Sequence, residues 1–249
     1  MTVMQSVLSF DGEDDYVSIP PHPALDLTDD YTLEAWICPI ALGGRIMDKG
    51  INGQAVGFTF DTYGGLRLIN TGIIIDSASV QVNQWQHVAA TFKVEKKGAK
   101  LFVNGKIVRE LKPKKAGTKT DLPVHLGSVA NSPDGFFKGK MAEVRLWSRV
   151  RTPEEIRSHL HSRLKGNEPG LVGYFPCNEG SGNIVSDKSP TQNNGSVNGA
   201  TWEQAELPIA PSTESATGLE DYGYWYRWKQ SLPASAGTQK NFRRGRIWC

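Results

Sequence analysis

From Ser6 to about Trp147, apolar residues recur at every second position in short segments separated by Gly, Pro, Asn and Asp, and that period points to β-strands. In the stretch 31–38, Leu33, Ala35 and Ile37 alternate with Thr32, Glu34 and Trp36, as in a strand with two unlike faces. Trp36 is expected in a sandwich interior or a groove. The same period marks strands near 8–20, 45–49, 56–61, 66–69, 73–77, 85–92, 100–103, 106–111, 124–126 and 140–147. Asn104-Gly105 between two of these predicts a tight hairpin, because both central positions of a type I′ turn need positive φ. One helix interrupts the strands. Thr152 supplies a cap hydroxyl, Pro153 a first-turn proline and Glu155 the third residue after the cap, while Ile156, Leu160 and Leu164 recur on one face, so a helix is expected over 153–164. A strand follows at 171–175, then turns around short strands that end near Trp202.

The character changes after that point. Residues 1–204 read as one β domain, 205–221 as a linker rich in Pro, Ser, Thr and Ala, and 222–249 as a separate tail. Charge follows the same division. Residues 212–249 carry six Lys/Arg against three acidic residues, whereas 1–211 hold 22 basic and 23 acidic ones within an overall net charge of +2. No stretch approaches the roughly 20 apolar residues that span a bilayer. Three cysteines, Cys38, Cys177 and Cys249, show no CxxC spacing, which argues against a disulfide framework; Cys38 and Cys177 read as buried thiols, with pairing between them left open. The N-terminus lacks a basic region followed by an apolar one. That fits a cytoplasmic chain, one exported without an N-terminal signal, or one whose leader has been removed.

Four carboxylates fall within five residues at Asp11, Glu13, Asp14 and Asp15, beside Gly12. They are either a solvated turn or the oxygen donors of a cation. Motifs for hydrolytic or phosphate chemistry are missing: there is no HExxH, no Gly-x-Ser-x-Gly elbow, no Gly-Lys-Ser/Thr loop and no CxxC pair. His87 sits in a strand, where a packing or hydrogen-bonding role is expected, and His159 and His161 are two apart on a helix and suit a metal poorly.

Taken in order, the segments Leu8–Val17, Tyr31–Ile37, Gln84–Phe92, Leu101–Gly105, Phe137–Trp147, Glu154–Ile156 and Gly170–Gly182 resemble the laminin-G-like, concanavalin A-like jelly-roll domains, in particular their bacterial pentraxin-like branch, over residues 6–204. The resemblance implies an all-β fold of two packed antiparallel sheets. It also implies loops that hold calcium and bind glycans or protein surfaces. Carried onto this chain, the calcium ligands are Asp11, the Gly12 carbonyl, Asp14 and Glu143, although Ala142 stands where the family commonly has Asp. Such an ion would be structural, tying the region of Asp11 to that of Glu143. The fold also hosts glucanases, but the Glu-x-Asp-x-x-Glu pattern of its retaining glycosidases does not occur, so a non-enzyme is expected.

Sugar binding needs an aromatic platform with amides and carboxylates on loops. Asp61, Tyr63, Asn70, Asn131, Asp134 and Phe136 form such a candidate patch, each with an ordinary turn-forming or packing role as its alternative. The tail holds seven aromatics among 38 residues, more than a disordered tail carries. Tyr224, Trp225, Tyr226, Trp228, Arg243, Arg244, Arg246 and Trp248 are the residue types that anchor interfaces. Docking onto a partner protein is expected of them, with folding onto the tail's own domain or contact with an anionic surface as the other readings and nucleic acid disfavoured. Two functions follow from the sequence. One is a glycan-binding or glycoprotein-binding module with a structural calcium ion. The other is an adaptor or decoration subunit of a larger assembly, attached through the tail.

Overall fold

In a computed structural model, Asn104 and Gly105 both take positive φ, 49° and 73°, which is the turn their order predicts. The side chain of Asn104 accepts a hydrogen bond from the His87 backbone N–H at 3.0 Å, so the hairpin is also fixed to the neighbouring strand. The structure describes residues 3–51, 54, 56–70, 73–76, 78–95, 98–113 and 115–210. Contacts divide the chain into two units, Met1–Pro211 and Ser212–Cys249, and the described residues all belong to the first.

Every segment read as a strand forms one. Strands β1 (Val3–Asp11), β2 (Tyr16–Ile19), β3 (Tyr31–Pro39), β4 (Arg45–Asp48), β5 (Thr59–Asp61), β6 (Leu66–Ile69), β7 (Ile73–Asp76), β8 (Gln86–Phe92), β9 (Ala99–Val103), β10 (Lys106–Leu111), β11 (Val124–Leu126) and β12 (Lys138–Trp147) precede helix α1 (Pro153–Ser158). After it come β13 (Leu171–Phe175), β14 (Ile184–Val185), β15 (Gly195–Asn198) and β16 (Thr201–Leu207). They build two antiparallel sheets. The first runs β10-β9-β8-β3-β12-β1-β16 with β13 paired to β12, and the second runs β14-β15-β2-β11-β4-β5-β6-β7. One core lies between them, filled by alternate residues such as Leu33, Ala35 and Ile37 of β3 and Val17, Ile19, Phe60 and Leu68 of the second sheet. This is the jelly-roll sandwich. β16 continues to Leu207 and Ile209 is buried behind it, so the sandwich extends past the boundary expected at 204. Among the described residues no helix is long and apolar enough to cross a membrane. Cys38 and Cys177 are both free thiols.

The outer face of the first sheet is also buried over its central strands. Thr32, Glu34 and Trp36 of β3, His87 of β8 and Arg145 of β12 all point there, under the chain that follows β12. The charges are paired. Glu34 accepts from Arg151 at 2.5 Å, lies 3.2 Å from His87 Nε2 and 3.8 Å from Arg145 Nη1. Arg145 also donates to Glu143 at 2.8 Å, and the Tyr174 hydroxyl donates to the same Glu143 oxygen at 2.9 Å. Burial by itself raises a carboxyl, but the bond from His87 and the charges of Arg151 and Arg145 outweigh it and hold Glu34 down to about 2.

These charges shorten the helix. The capping box predicted from Thr152 and Glu155 is present, yet α1 ends at Ser158 rather than near Leu164. Arg145 donates to the carbonyls of His159 and Ser162, at 3.0 and 2.8 Å, and Trp36 Nε1 donates to that of Leu160 at 3.0 Å. The carbonyls are therefore satisfied by buried side chains instead of by further helical turns.

Glu34→Gln leaves the buried guanidiniums short of a counter-charge and is expected to cost about 3–5 kcal/mol in urea unfolding. Because the folded carboxyl titrates below its ordinary value of 4.5, the unfolded chain binds more protons between pH 4.5 and about 2. The protein should lose about 3 kcal/mol as pH falls through that window, and the variant should lack this part of the slope.

Candidate ligand-binding rim and acidic turn

The register of β4, β5 and β6 sets Arg45 opposite Asp61 and Asp61 opposite Arg67, so three charged side chains share one row on the outer face of the second sheet. Asp61 is fully buried between them. Its carboxylate accepts two bonds from Arg67, at 2.9 and 2.7 Å, a third from Arg45 Nη1 and a fourth from the backbone N–H of Tyr63 at 3.0 Å. With both guanidiniums fixed, Arg67 lies 4.9 Å from the centroid of the Tyr63 ring. Tyr63 itself is 61% exposed at the turn before Gly64 and Gly65.

A second loop adjoins this row. Arg45 donates its backbone N–H to the Gly135 carbonyl at 2.8 Å, and buried Asp48 accepts the Ala130 N–H at 2.9 Å, which pins residues 128–135 onto β4. Asn131 and Asp134 are exposed on that loop and Phe136 is half-buried at its end. A Cβ on Gly44 would stand 2.8 Å from the Phe136 carbonyl, so the close approach of the two loops requires glycine there. Five of the six expected residues thus fall on adjoining segments, with Asp61 as an anchor rather than a contact. Asn70 is the exception. It is 1% exposed and donates to the Tyr31 hydroxyl at 3.0 Å inside the domain, where no ligand reaches it.

Two features of this face were not anticipated. Arg45 and Arg67 had a signal in the sequence, since each stands in a predicted strand flanking Asp61. The other is a polar row across β15, β2 and β11, in which Ser196 pairs with Ser18 and Ser18 with His125. His125 stacks on Tyr16 with ring centroids 4.7 Å apart and bonds Ser128 at 3.0 Å. The alternation of Tyr16 and Ser18 with Val17 and Ile19 was the available clue. Burial lowers the pKa of His125.

The acidic turn gathers Asp11, Asp14 and Asp15, whose oxygens lie within 4.8 Å of one another. Asp15 accepts the Asp11 N–H and Asp11 accepts the Glu13 N–H, each at 2.8 Å, so two of the carboxylates also hold the turn together. Burial raises the Asp15 carboxyl, and the charges of Asp11 and Asp14 add to the shift. An all-carboxylate donor set whose members repel one another suits a hard divalent cation. Glu143 is not part of it. In β12 it adopts φ 52° at a bulge, which turns both Ala142 and Glu143 to the outer face and commits the carboxylate to Arg145 and Tyr174. By the pairing of Leu8 with Met141, Glu143 lies level with Ser6, about 16 Å along β1 from Asp11 at ~3.3 Å per residue. Ala142 packs with Val7, Trp36 and Leu160, a setting that has no use for an aspartate. Tyr224, Trp225, Tyr226, Trp228, Arg243, Arg244, Arg246 and Trp248 lie outside the described residues.

The sequence profile of the concanavalin A-like lectin/glucanases superfamily, a laminin-G profile, matches residues 11–157. The chain belongs to this family. Among solved structures it is similar to a proposed carbohydrate-binding protein from Bacteroides ovatus, with TM-score 0.67 and 22% identity over 83% of this chain. The chain spans 62% of that protein's length. It is also similar to the CBM40 domain of the Ruminococcus gnavus IT-sialidase bound to α2,3-sialyllactose, with TM-score 0.50 and 15% identity, over 63% of this chain and 96% of that one. These likenesses show the fold that the laminin-G-like members share. A search of curated proteins gives no match.

Asp61→Ala removes the counter-ion of two half-buried arginines and should cost about 3–5 kcal/mol in urea unfolding. Tyr63→Ala should change stability by no more than about 0.5 kcal/mol. Equal losses for the two would mean that the tyrosine is structural.

Proposed function

We propose that this chain is a non-catalytic carbohydrate-binding module whose ligand rests on the rim formed by Tyr63, Arg67, Asn131, Asp134 and Phe136. The observation that carries the reading is the exposure of Tyr63. A large aromatic ring is held out in solvent by a guanidinium locked onto a buried carboxylate, and an aromatic face beside fixed N–H donors is what the C–H face and hydroxyls of a sugar require. The carboxylates of this region support a binding role over hydrolysis. Asp61 and Asp48 are spent on arginines, Thr59 and backbone N–H groups, which leaves Asp134 without an opposed acid on the rim. The descriptions of the Bacteroides ovatus protein and the CBM40 domain, as carbohydrate-binding, point the same way.

A divalent cation, calcium by its oxygen preference, fits Asp11, Asp14 and Asp15 as a structural element of the turn between β1 and β2. When bound it would relieve the repulsion among the three carboxylates. The residues themselves close the turn from β1 into β2, where Asp15 accepts the Asp11 N–H and Asp11 that of Glu13.

A glycan array probed with the full chain should give a defined set of hits, and Tyr63→Ala should weaken them about tenfold without lowering the melting temperature. An array with no hits, or hits indifferent to Tyr63, contradicts the reading. Calcium at about 100 times its dissociation constant should raise the melting temperature by about 5–10 °C over chelator-treated protein, and Asp14→Ala should abolish the shift. An unchanged midpoint rules the ion out.

A further inference from the structure

The near neutrality of residues 1–211 hides a segregation of charge. Residues 93–119 hold ten of the chain's 28 Lys/Arg and only Glu95 and Glu110 of its 26 acidic residues. This segment contains the β9–β10 hairpin, and β10 is the free edge of the first sheet. Part of the excess is neutralised locally: Lys93 pairs with Asp30 and Glu95, Lys100 with Glu110, and Lys119 with Asp26. Arg157 packs against the Gly105 turn, but its guanidinium is held by Glu154. Lys106, Arg109 and Lys112 are different. All three are exposed, and among the described residues none enters an ion pair.

A bulge aligns two of them. In a regular strand, residues three apart face opposite sides. The register shift between Ile107 and Arg109 inserts one residue, so Lys106 stands opposite Val103 and Arg109 opposite Leu101, two positions on the same face of β9. The two cations therefore lie about 7 Å apart along the edge, and Lys112 follows just past the strand end. Edge strands carry lysine to discourage pairing, which accounts for Lys106 and Arg109 on β10 but not for the eight further Lys/Arg that residues 93–119 carry outside that strand.

We propose that this edge is a second saccharide site, one that takes an anionic polysaccharide bearing sulfate or carboxylate groups along its length. The inference rests on the carbohydrate-binding reading and adds a ligand class to it. Two aligned cations with a third just beyond them, none in an ion pair among the described residues, fit a chain with repeated anions. The exposed large apolar residues of the hairpin are Ile107 and Leu111, which are not aromatic and offer no base-stacking platform. Their partners Phe102 and Ala99 face opposite sides of the sheet, so the two do not form one surface for insertion into a bilayer.

The test titrates the full-length protein with heparin and with polygalacturonate at 50 and 200 mM salt, beside duplex DNA and phosphatidylserine vesicles. Binding of either polysaccharide should weaken with salt. The combined variant K106A/R109A/K112A should weaken it about tenfold at 50 mM salt, with an unchanged melting temperature, whereas R243A/R244A/R246A should stay within about twofold of the parent. Absence of salt-sensitive polysaccharide binding overturns the proposal, as does a combined variant that binds like the parent. Tighter binding of DNA or vesicles through the same three residues also overturns it. Array hits that depend on Tyr63 would survive any of these failures. Conversely, polyanion binding at the edge would survive the loss of the Tyr63 site.

Discussion

Glu34, Glu143, Arg145 and Arg151 lie where water does not reach, between the outer face of the first sheet and the chain that crosses back over it. Burying charges costs several kcal/mol each, and their mutual attraction offsets that cost only in one arrangement. That arrangement sets the surrounding backbone. Arg145 takes the carbonyls of His159 and Ser162, and Arg151 takes that of Glu155. Glu143 accepts a left-handed backbone conformation to reach Arg145 and Tyr174. An apolar layer would bury the same area without specifying which carbonyl meets which donor, so the ionic layer contributes register more than net stability.

The consequence for function is an asymmetry between the sheets. The first sheet spends the outer face of its central strands on internal packing and exposes its two edges, β10 and β16. The second keeps Tyr16, Ser18, His125, Arg45, Arg67 and Tyr63 at least partly accessible. Arginine serves both places by different means. Arg145 is fully buried and reads backbone carbonyls, whereas Arg67 makes a bidentate pair with Asp61 that leaves the other side of its guanidinium beside an exposed ring.

Much of this was legible in the chain. Period-two alternation located the strands because one side of each meets a common core, and Asn104-Gly105 and the Thr152–Glu155 box are local devices whose chemistry is complete within four residues. What escaped was non-local. The bulge at Glu143 reverses the alternation of β12 at a residue that is not glycine, and the calcium role that the resemblance implies for Glu143 does not foresee the turn of its carboxylate toward Arg145 and Tyr174. Leu160 and Leu164 continue the helical period, but the side chains that take the carbonyls beyond Ser158 come from residues 36 and 145. Asn70 resembles an exposed loop amide until Tyr31, 39 positions earlier, is seen as its acceptor. Asp61 was picked out as a ligand contact, and its actual work is to hold the two arginines that had no place in the expected patch.

The proposed site at Tyr63 lies on the second sheet's rim, apart from the β10 edge of the first sheet. Backbone chemical-shift mapping of the full-length protein with a glycan selected on an array tests it directly. The largest shifts should fall on residues 61–67 and 129–136, with Ser18 and His125 next and Glu34, His87 and Arg145 unmoved. Shifts centred on the segment 150–165 that covers the first sheet, with the rim silent, would contradict it.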